Sequence, residues 1–129
     1  MIRPILFWGK ASEAKVDNED ELLKLFTSIA NEAAKENSPV VVTIEHKSGE
    51  SMQIVLGGDK SYLCYMTAEF SSFASVGDSD LEEDFVCYIH GEYSEVPNKN
   101  IIDVEAAIGA AVHFFNTKGM STSIRWESS

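Results

Sequence analysis

The sequence is poor in basic residues, and that shortage excludes one class of partner. Ten Lys and Arg stand against 21 Asp and Glu, so the formal net charge at pH 7 is −11. A field of this sign repels phosphate backbones, which disfavours nucleic-acid binding, and it attracts basic protein surfaces. Plain solubility is an equally good explanation of the acidity at this stage, because net charge bears on association and not on fold.

Cysteines and long apolar runs are also scarce. Cys64 and Cys87 lie in the apolar runs YLCYM and FVCYI, and neither belongs to a CxxC motif. Two reduced thiols in a reducing compartment are the simplest interpretation. Four apolar residues follow Pro4, against the roughly 7–15 of a secretory signal, and no run approaches the ~20 apolar residues of a membrane span. We therefore expect a cytoplasmic protein without a membrane anchor.

Motifs for catalysis or metal binding are missing as well. The three histidines, His46, His90 and His113, are far apart in sequence, so a zinc site lacks its usual ligand spacing. A zinc site formed in space by His46, His90 and a cysteine is an alternative that the sequence does not decide. The segment Gly57–Ser61 lacks the first glycine of a P-loop, and no GxSxG or SxxK occurs. The sequence therefore predicts no enzyme, no catalytic residue, no metal and no cofactor.

What the chain does contain is a dense acidic segment, GDSDLEEDF, at residues 77–85. It starts like a calcium loop but has neither Asn nor Asp at the fifth position and no glycine at the sixth. Two interpretations stay open: a solvated loop of like charges, or a patch that presents carboxylates to Arg and Lys of a partner. The predicted binding residues are the acids of this loop and two outer positions: Asp78, Asp80, Glu82, Glu83, Asp84, Glu92 and Tyr93.

Hydrophobic periodicity predicts one domain over residues 1–129 with the order β-α-β-β-β-β-α-β. Asn18 and Glu21 have capping-box spacing, and the apolar residues after them repeat at helical spacing to about Lys35. A second helix is expected after Asp103, with Gly119 as its C-terminal cap. The strands are expected at 2–8, 40–46, 52–56, 62–67, 85–90 and 123–126, with loops at 9–15 and 91–100 and no clear assignment for 68–77.

These elements predict an α+β fold, an antiparallel sheet of about five to six strands with two helices packed on one side. Consecutive strands joined by short turns favour hairpins, and helices placed at both ends of the meander must cover one sheet face. Trp8 and Trp126, near the two ends of the chain, are expected to pack on this core more than to bind a ligand.

The last third of the chain carries a recognisable pattern. A glycine precedes acidic and aromatic positions, a Val-Pro follows, and an Ala-rich helix ending in Phe leads to Thr, Gly and a strand that ends in Trp. Lys118 stands between the Thr and the Gly, where the pattern joins them directly. The residues that carry it are Gly91, Glu92, Tyr93, Val96, Pro97, Ile101, Ala106, Ala107, Phe114, Phe115, Thr117, Gly119, Ile124 and Trp126.

This pattern resembles the bacterial polymorphic-toxin immunity proteins of the α+β type that are marked by a C-terminal tryptophan. Their genes usually lie beside toxins of the nucleic-acid deaminase superfamily. The resemblance implies a cytoplasmic antitoxin that binds one cognate toxin and occludes its active site, most readily a basic-clefted deaminase. It also implies that five residues form a structural mark of the family and not the toxin contact: Gly91, Pro97, Phe115, Gly119 and Trp126.

Two other functions remain open. An acidic cytosolic adaptor, or a nuclease inhibitor of another type, would form a stable complex with a partner that is not a deaminase. A small hydrolase would require a polar pocket that contains a group with a shifted pKa.

Overall fold

A computed structural model describes residues 4–9, 12–77, 85–89 and 92–128 of the chain. Two helices and a mainly antiparallel sheet make up these described ranges, which confirms the α+β fold. No helix in these described ranges is long and apolar enough to cross a membrane. The elements are β1 (Ile5–Trp8), β2 (Ser12–Lys15), α1 (Glu19–Lys35), β3 (Val40–Glu45), β4 (Ser51–Leu56), β5 (Lys60–Ser61), β6 (Leu63–Met66), β7 (Ser72–Val76), β8 (Phe85–Ile89), β9 (Glu92–Val96), a 3-10 turn (Asn98–Asn100), β10 (Ile102–Asp103), α2 (Val104–Thr117) and β11 (Arg125–Ser128).

Helix α1 begins where the sequence predicts it. The side chain of Asn18 accepts a hydrogen bond from the Glu21 amide at 2.9 Å, and the Glu21 carboxylate accepts one from the Asp17 amide at 2.8 Å. The first bond satisfies an amide that the first turn leaves without a partner, and the second ties the residue before the N-cap to the helix. One apolar stripe faces the sheet, and its buried residues are Leu22, Phe26, Ile29 and Ala33.

The main sheet has the strand order β11-β7-β6-β4-β3-β1-β2. Central strands β3 and β4 pair over their full length, from Val40 with Leu56 to Glu45 with Ser51. Strand β8 joins the β1 side of β3 through one parallel pair, Val40 with Tyr88, and β9 pairs antiparallel with β8. The sheet therefore has nine strands, more than the five to six expected.

Three strands of the main sheet lie where the sequence predicted loop or no clear structure. β2 and β9 fall in the segments expected to be loops, and β7 falls in the unassigned segment. The loop predictions at 9–15 and 91–100 are wrong over Ser12–Lys15 and Glu92–Val96, for a common reason. SEAK and EYSEV are polar because each forms an outer strand that pairs on one edge among the described residues. Edge strands keep charged side chains, so their alternation of apolar and polar residues is weak.

The boundaries of the last elements also differ from expectation. The C-cap of α2 is Lys118, in the left-handed conformation at φ 65°, and not Gly119. Asp103 occupies the N-cap position without a capping hydrogen bond from its side chain, which instead pairs with Lys60 at 2.7 Å. The last strand runs over Arg125–Ser128, two residues later than predicted, because Ser121 and Ser123 form a hydrogen-bonded turn before it.

Both helices cover one face of the sheet, which we name the helix face. Residues at alternate positions of β3, β4 and β6 point to it, among them Val42, Ile54 and Leu63, each fully buried. Phe26 of α1 and Phe114 of α2 join the same cluster. The prediction that two helices pack on one side is therefore confirmed.

The opposite face, which we name the hairpin face, carries a smaller core. Val41 and Val55 lie side by side there, and Cys87 of β8 and Val96 of β9 cover them together with Ile101. The β8–β9 hairpin thus forms a second, partial layer. Along β3, neighbours Val41 and Val42 point to opposite faces, so both sides of this strand are buried.

The segment after β9 is fixed against β7 by buried polar contacts. The Ser75 hydroxyl donates to the backbone carbonyl of Asn100 at 2.7 Å, and the side-chain amide of Asn100 donates to the Ser75 carbonyl at 2.8 Å. Gly77 donates its amide to the Lys99 carbonyl at 2.8 Å, and a Cβ on Gly77 would lie 1.8 Å from the Ile101 carbonyl oxygen. Only glycine allows so close a backbone approach, so this crossing depends on Gly77.

Candidate functional site

The predicted binding residues divide into two groups in the structure. Asp78, Asp80, Glu82, Glu83 and Asp84 lie outside the described residues, as do Gly91 and His90. Glu92 and Tyr93 are exposed at the start of β9, and 60% of Tyr93 is accessible. The hydroxyl of Tyr93 donates to a carboxylate oxygen of Glu95 at 2.8 Å.

The hairpin register places Glu92 at the end of β9 that pairs with the last residue of β8. Phe85, the first residue of β8, pairs with Val96, whereas Glu92 pairs with Ile89 at the other end of the hairpin. Four residues of strand, at ~3.3 Å each, separate those ends by about 13 Å. Between them β9 presents its outer edge, which has no strand partner among the described residues, together with the carboxylates of Glu92 and Glu95.

The residues of the family mark lie mainly in the framework. Phe115 is buried in the core of the helix face, and half-buried Trp126 packs against that core. The Trp126 indole nitrogen donates to the Ser121 carbonyl at 2.9 Å, and its ring meets the Tyr65 ring edge-on at 6.5 Å. Gly119 follows the C-cap of α2, and Pro97, which is exposed, precedes the 3-10 turn.

One end of the sheet holds α2 in place through a buried histidine. The Nε2 of His46 lies 3.1 Å from the Phe114 carbonyl, and the two rings meet edge-on at 4.9 Å. Burial lowers the pKa of His46 below its ordinary value, although the hydrogen bond to Phe114 acts in the opposite direction. The neutral ring then donates to that carbonyl. Tyr65 also holds the end of α2, because its hydroxyl donates to the Lys118 carbonyl at 3.0 Å.

The turn that joins β6 and β7 presents an aromatic side chain that the sequence analysis did not single out. Phe70 is 81% exposed, and its φ of 69° lies in the left-handed region. Hydrogen bonds hold the turn from Thr67 to Ser71. A phenylalanine in a polar turn sequence gives no signal of its backbone conformation, so only the structure reveals it.

The cysteines and the buried tyrosine are arranged for packing and not for nucleophilic chemistry. Both thiols are free, and burial raises the pKa of Cys64 and of Cys87 above the ordinary value. Burial likewise raises the pKa of Tyr62. These groups stay protonated near neutral pH, and a thiol attacks as its thiolate, so neither cysteine is activated.

No group of three or more His, Cys, Asp or Glu within the described ranges is arranged to hold a metal ion. The sequence left undecided whether His46, His90 and a cysteine form a metal site. His46 lies against the Phe114 carbonyl and His90 is outside those ranges, so the described residues show no such cluster. An open groove of about 540 Å³ lies between the end of β1 and the C-terminal part of α1. Its lining includes Trp8, Glu32 and Glu36, an aromatic ring and two carboxylates that suit contact with a cationic side chain.

The chain matches the model of one known protein family. The family model described as Immunity protein Imm1 matches residues 10–128, a range that includes both helices and every described strand after β1. No curated protein matches the chain.

Proposed function

Because the chain belongs to the Imm1 family of immunity proteins, we propose that it binds one cognate toxin and covers the mouth of that toxin's active site. Membership of this family implies a toxin as the partner. The proposal adds the manner of inhibition, which is steric occlusion by an acidic surface. The observation that carries it is the net charge of −11, with carboxylates exposed along the edge of β9.

A toxin of the nucleic-acid deaminase superfamily fits this surface. Such a toxin holds an anionic substrate, so the mouth of its active site is expected to be basic. Carboxylates of the immunity protein would then occupy positions that substrate phosphates take, and long-range attraction would speed the encounter. The support for this toxin class is the resemblance in the last third of the chain together with the acidity.

The proposed contact surface comprises the acidic loop 78–84 and the outer edge of the β8–β9 hairpin. Glu92 and Glu95 belong to an edge strand whose exposed side chains play no part in the buried cores. Charged groups at the rim of an interface act mainly on the rate of association and on its salt dependence. Inhibition takes place in the cytoplasm of the producing cell and requires neither catalysis nor a cofactor of this protein.

Co-expression tests the function directly. The toxin encoded beside this chain's gene should kill cells when it is expressed alone and should be tolerated when this protein is present. Survival that does not depend on this protein would exclude the proposal. A stable complex with a partner that is not a deaminase would retain a binding function but exclude the toxin class.

Charge reversal tests the surface. A Glu92→Lys and Glu95→Lys double variant should associate with the toxin roughly tenfold more slowly at low salt, and the difference should shrink as salt is added. A Glu13→Lys and Glu105→Lys double variant is the matched control, since it changes the net charge equally at exposed positions on β2 and α2. Equal association rates for the two variants would show that only net charge matters and would exclude the hairpin edge.

A further inference from the structure

The tip of the β6–β7 hairpin combines two features that rarely occur together. Phe70 has a left-handed backbone, φ 69°, and its side chain is 81% exposed. A side chain with a Cβ is disfavoured in this conformation, and phenylalanine has no short polar group that could hydrogen-bond locally in return. A single exposed apolar residue would need no explanation, but one held at a conformational cost does.

The other left-handed positions with a side chain show what an ordinary use looks like. Asn37 has φ 51° and follows α1, and Lys118 has φ 65° and ends α2. Both help to terminate a helix, where a left-handed residue lets amides reach the last carbonyls. Both also have side chains that suit solvent. The left-handed backbone of Phe70 closes the three-residue loop between Thr67 and Ser71, a position that glycine or asparagine usually takes, so the unusual feature there is the exposed apolar ring.

The tip is held rigidly despite its exposure. The Phe70 amide donates to the Thr67 carbonyl at 3.0 Å, and the Thr67 hydroxyl accepts from the Ser71 amide at 3.0 Å. A Cβ placed on Gly49 would lie 3.3 Å from the Ala68 Cβ, so the neighbouring β3–β4 turn packs against the tip. A ring presented on a preorganised turn loses little conformational freedom on binding.

Charged groups surround the tip. Glu69 is exposed beside Phe70, and Glu50 lies close enough to act with Glu69 on the Tyr65 hydroxyl, raising its pKa in addition to the effect of burial. Lys47 and Lys118 line a shallow pocket at the same end of the sheet. An apolar anchor surrounded by polar groups is the arrangement of an interface hot spot.

We propose that Phe70 is the apolar anchor of the toxin interface and inserts into an apolar pocket on the cognate toxin, with a basic rim residue of that pocket facing Glu69. The inference rests on the proposed function, since it takes a toxin as the occupant. It adds a second contact that differs in chemistry from the acidic hairpin edge, because insertion of a ring slows dissociation whereas rim charges mainly speed association.

The test measures binding of a catalytically inactive form of the toxin encoded beside this chain's gene. Phe70→Ala and Phe70→Asn should each weaken the affinity by about 30-fold or more, mainly through faster dissociation. Asparagine tolerates the left-handed conformation, so the second variant should fold with a melting temperature equal to or above that of the wild type. Leu23→Ala, at the exposed leucine of α1, is the matched control and should change the affinity less than threefold.

The outcomes separate the two proposals. Wild-type affinity for both Phe70 variants, with the wild type still binding and protecting, would overturn the anchor and leave the proposed function intact. A wild-type protein that does not bind the toxin would overturn the function and the anchor together. If the wild type proves to be a homodimer and the Phe70 variants are monomers that still bind the toxin, the ring serves self-association, which would likewise overturn the anchor.

Discussion

On the helix face of the sheet, 17 buried residues of the described chain form one cluster, whereas the hairpin face has a cluster of five. The first is enclosed by two helices, and the second is covered by the β8–β9 hairpin and the segment after it. Phe115 and Trp126 of the family mark pack on the larger cluster. The smaller cluster supports the hairpin whose edge carries Glu92 and Tyr93.

This difference indicates that the helix face mainly stabilises the fold and that the hairpin face mainly presents the contact surface. The helix face supplies most of the free energy of folding, because that free energy grows with buried apolar area. The hairpin face tolerates change in its outer side chains, since few of them are buried. A protein that must match one partner can vary the second surface while the first keeps the fold.

The largest expected effect is on the helix face, at Phe114. This ring is fully buried and meets the rings of His46 and Tyr65 edge-on, at 4.9 and 5.7 Å. Phe114→Ala should lower the free energy of unfolding by about 3–5 kcal/mol through lost transfer free energy and a residual cavity. Urea denaturation followed by circular dichroism measures it. A loss below about 1.5 kcal/mol would mean that α2 is not a main source of stability.

The sequence predicts the helices of the helix face better than the edge strands, because only the helices carry a regular apolar pattern. The periodic apolar residues of α1, from Leu22 to Ala33, predict that helix well, because burial against a sheet imposes helical spacing. The immunity-protein resemblance is confirmed at the level of the family. Strands β2 and β9 are missed because a polar edge strand carries little alternation, and their pairing is decided by distant partners.

Other features depend on backbone geometry that local sequence does not encode. Gly77 has no unusual neighbours in sequence, yet a carbonyl from residue 101 crosses it closely. Phe70 sits in a polar stretch that carries no glycine or asparagine to signal a left-handed residue. For the candidate site, acidity predicts the type of surface, while only the fold shows that Glu92 and Tyr93 share an edge strand.

A matched pair of substitutions in one strand compares the two faces directly. Val42 and Val41 are neighbours in β3, with 0% and 2% exposure, and they point to the helix face and the hairpin face. Each Val→Ala change removes two methyl groups, worth about 0.8 kcal/mol apiece before any cavity term. We expect Val42→Ala to cost about 2–3 kcal/mol and Val41→Ala about 1–2 kcal/mol, because the hairpin can relax onto the smaller side chain.

Denaturant midpoints of these two variants, measured in parallel at one pH, decide the comparison. The slopes of their transitions should match that of the wild type, so that the difference reports native stability. Equal costs would contradict the distinction, and a larger cost for Val41→Ala would reverse it, making the hairpin the more tightly packed layer.

The smallest effect is a pH dependence of the helix face that arises from His46. Burial lowers the pKa of this histidine in the folded protein below 6.5, so the unfolded chain binds more protons in the interval between the two pKa values. Stability is then fully present above pH 6.5 and is lost as the pH falls through the folded pKa. Lys118 adds to the lowering and Glu50 opposes it, both less than burial does. Unfolding free energies measured from pH 7.5 to 5 should show this decline.

His46→Gln keeps a donor for the Phe114 carbonyl and leaves the other histidines in place, so it should flatten the decline between pH 6.5 and 5. An unchanged slope in that variant would show that protonation elsewhere, and not at the end of α2, weakens the fold.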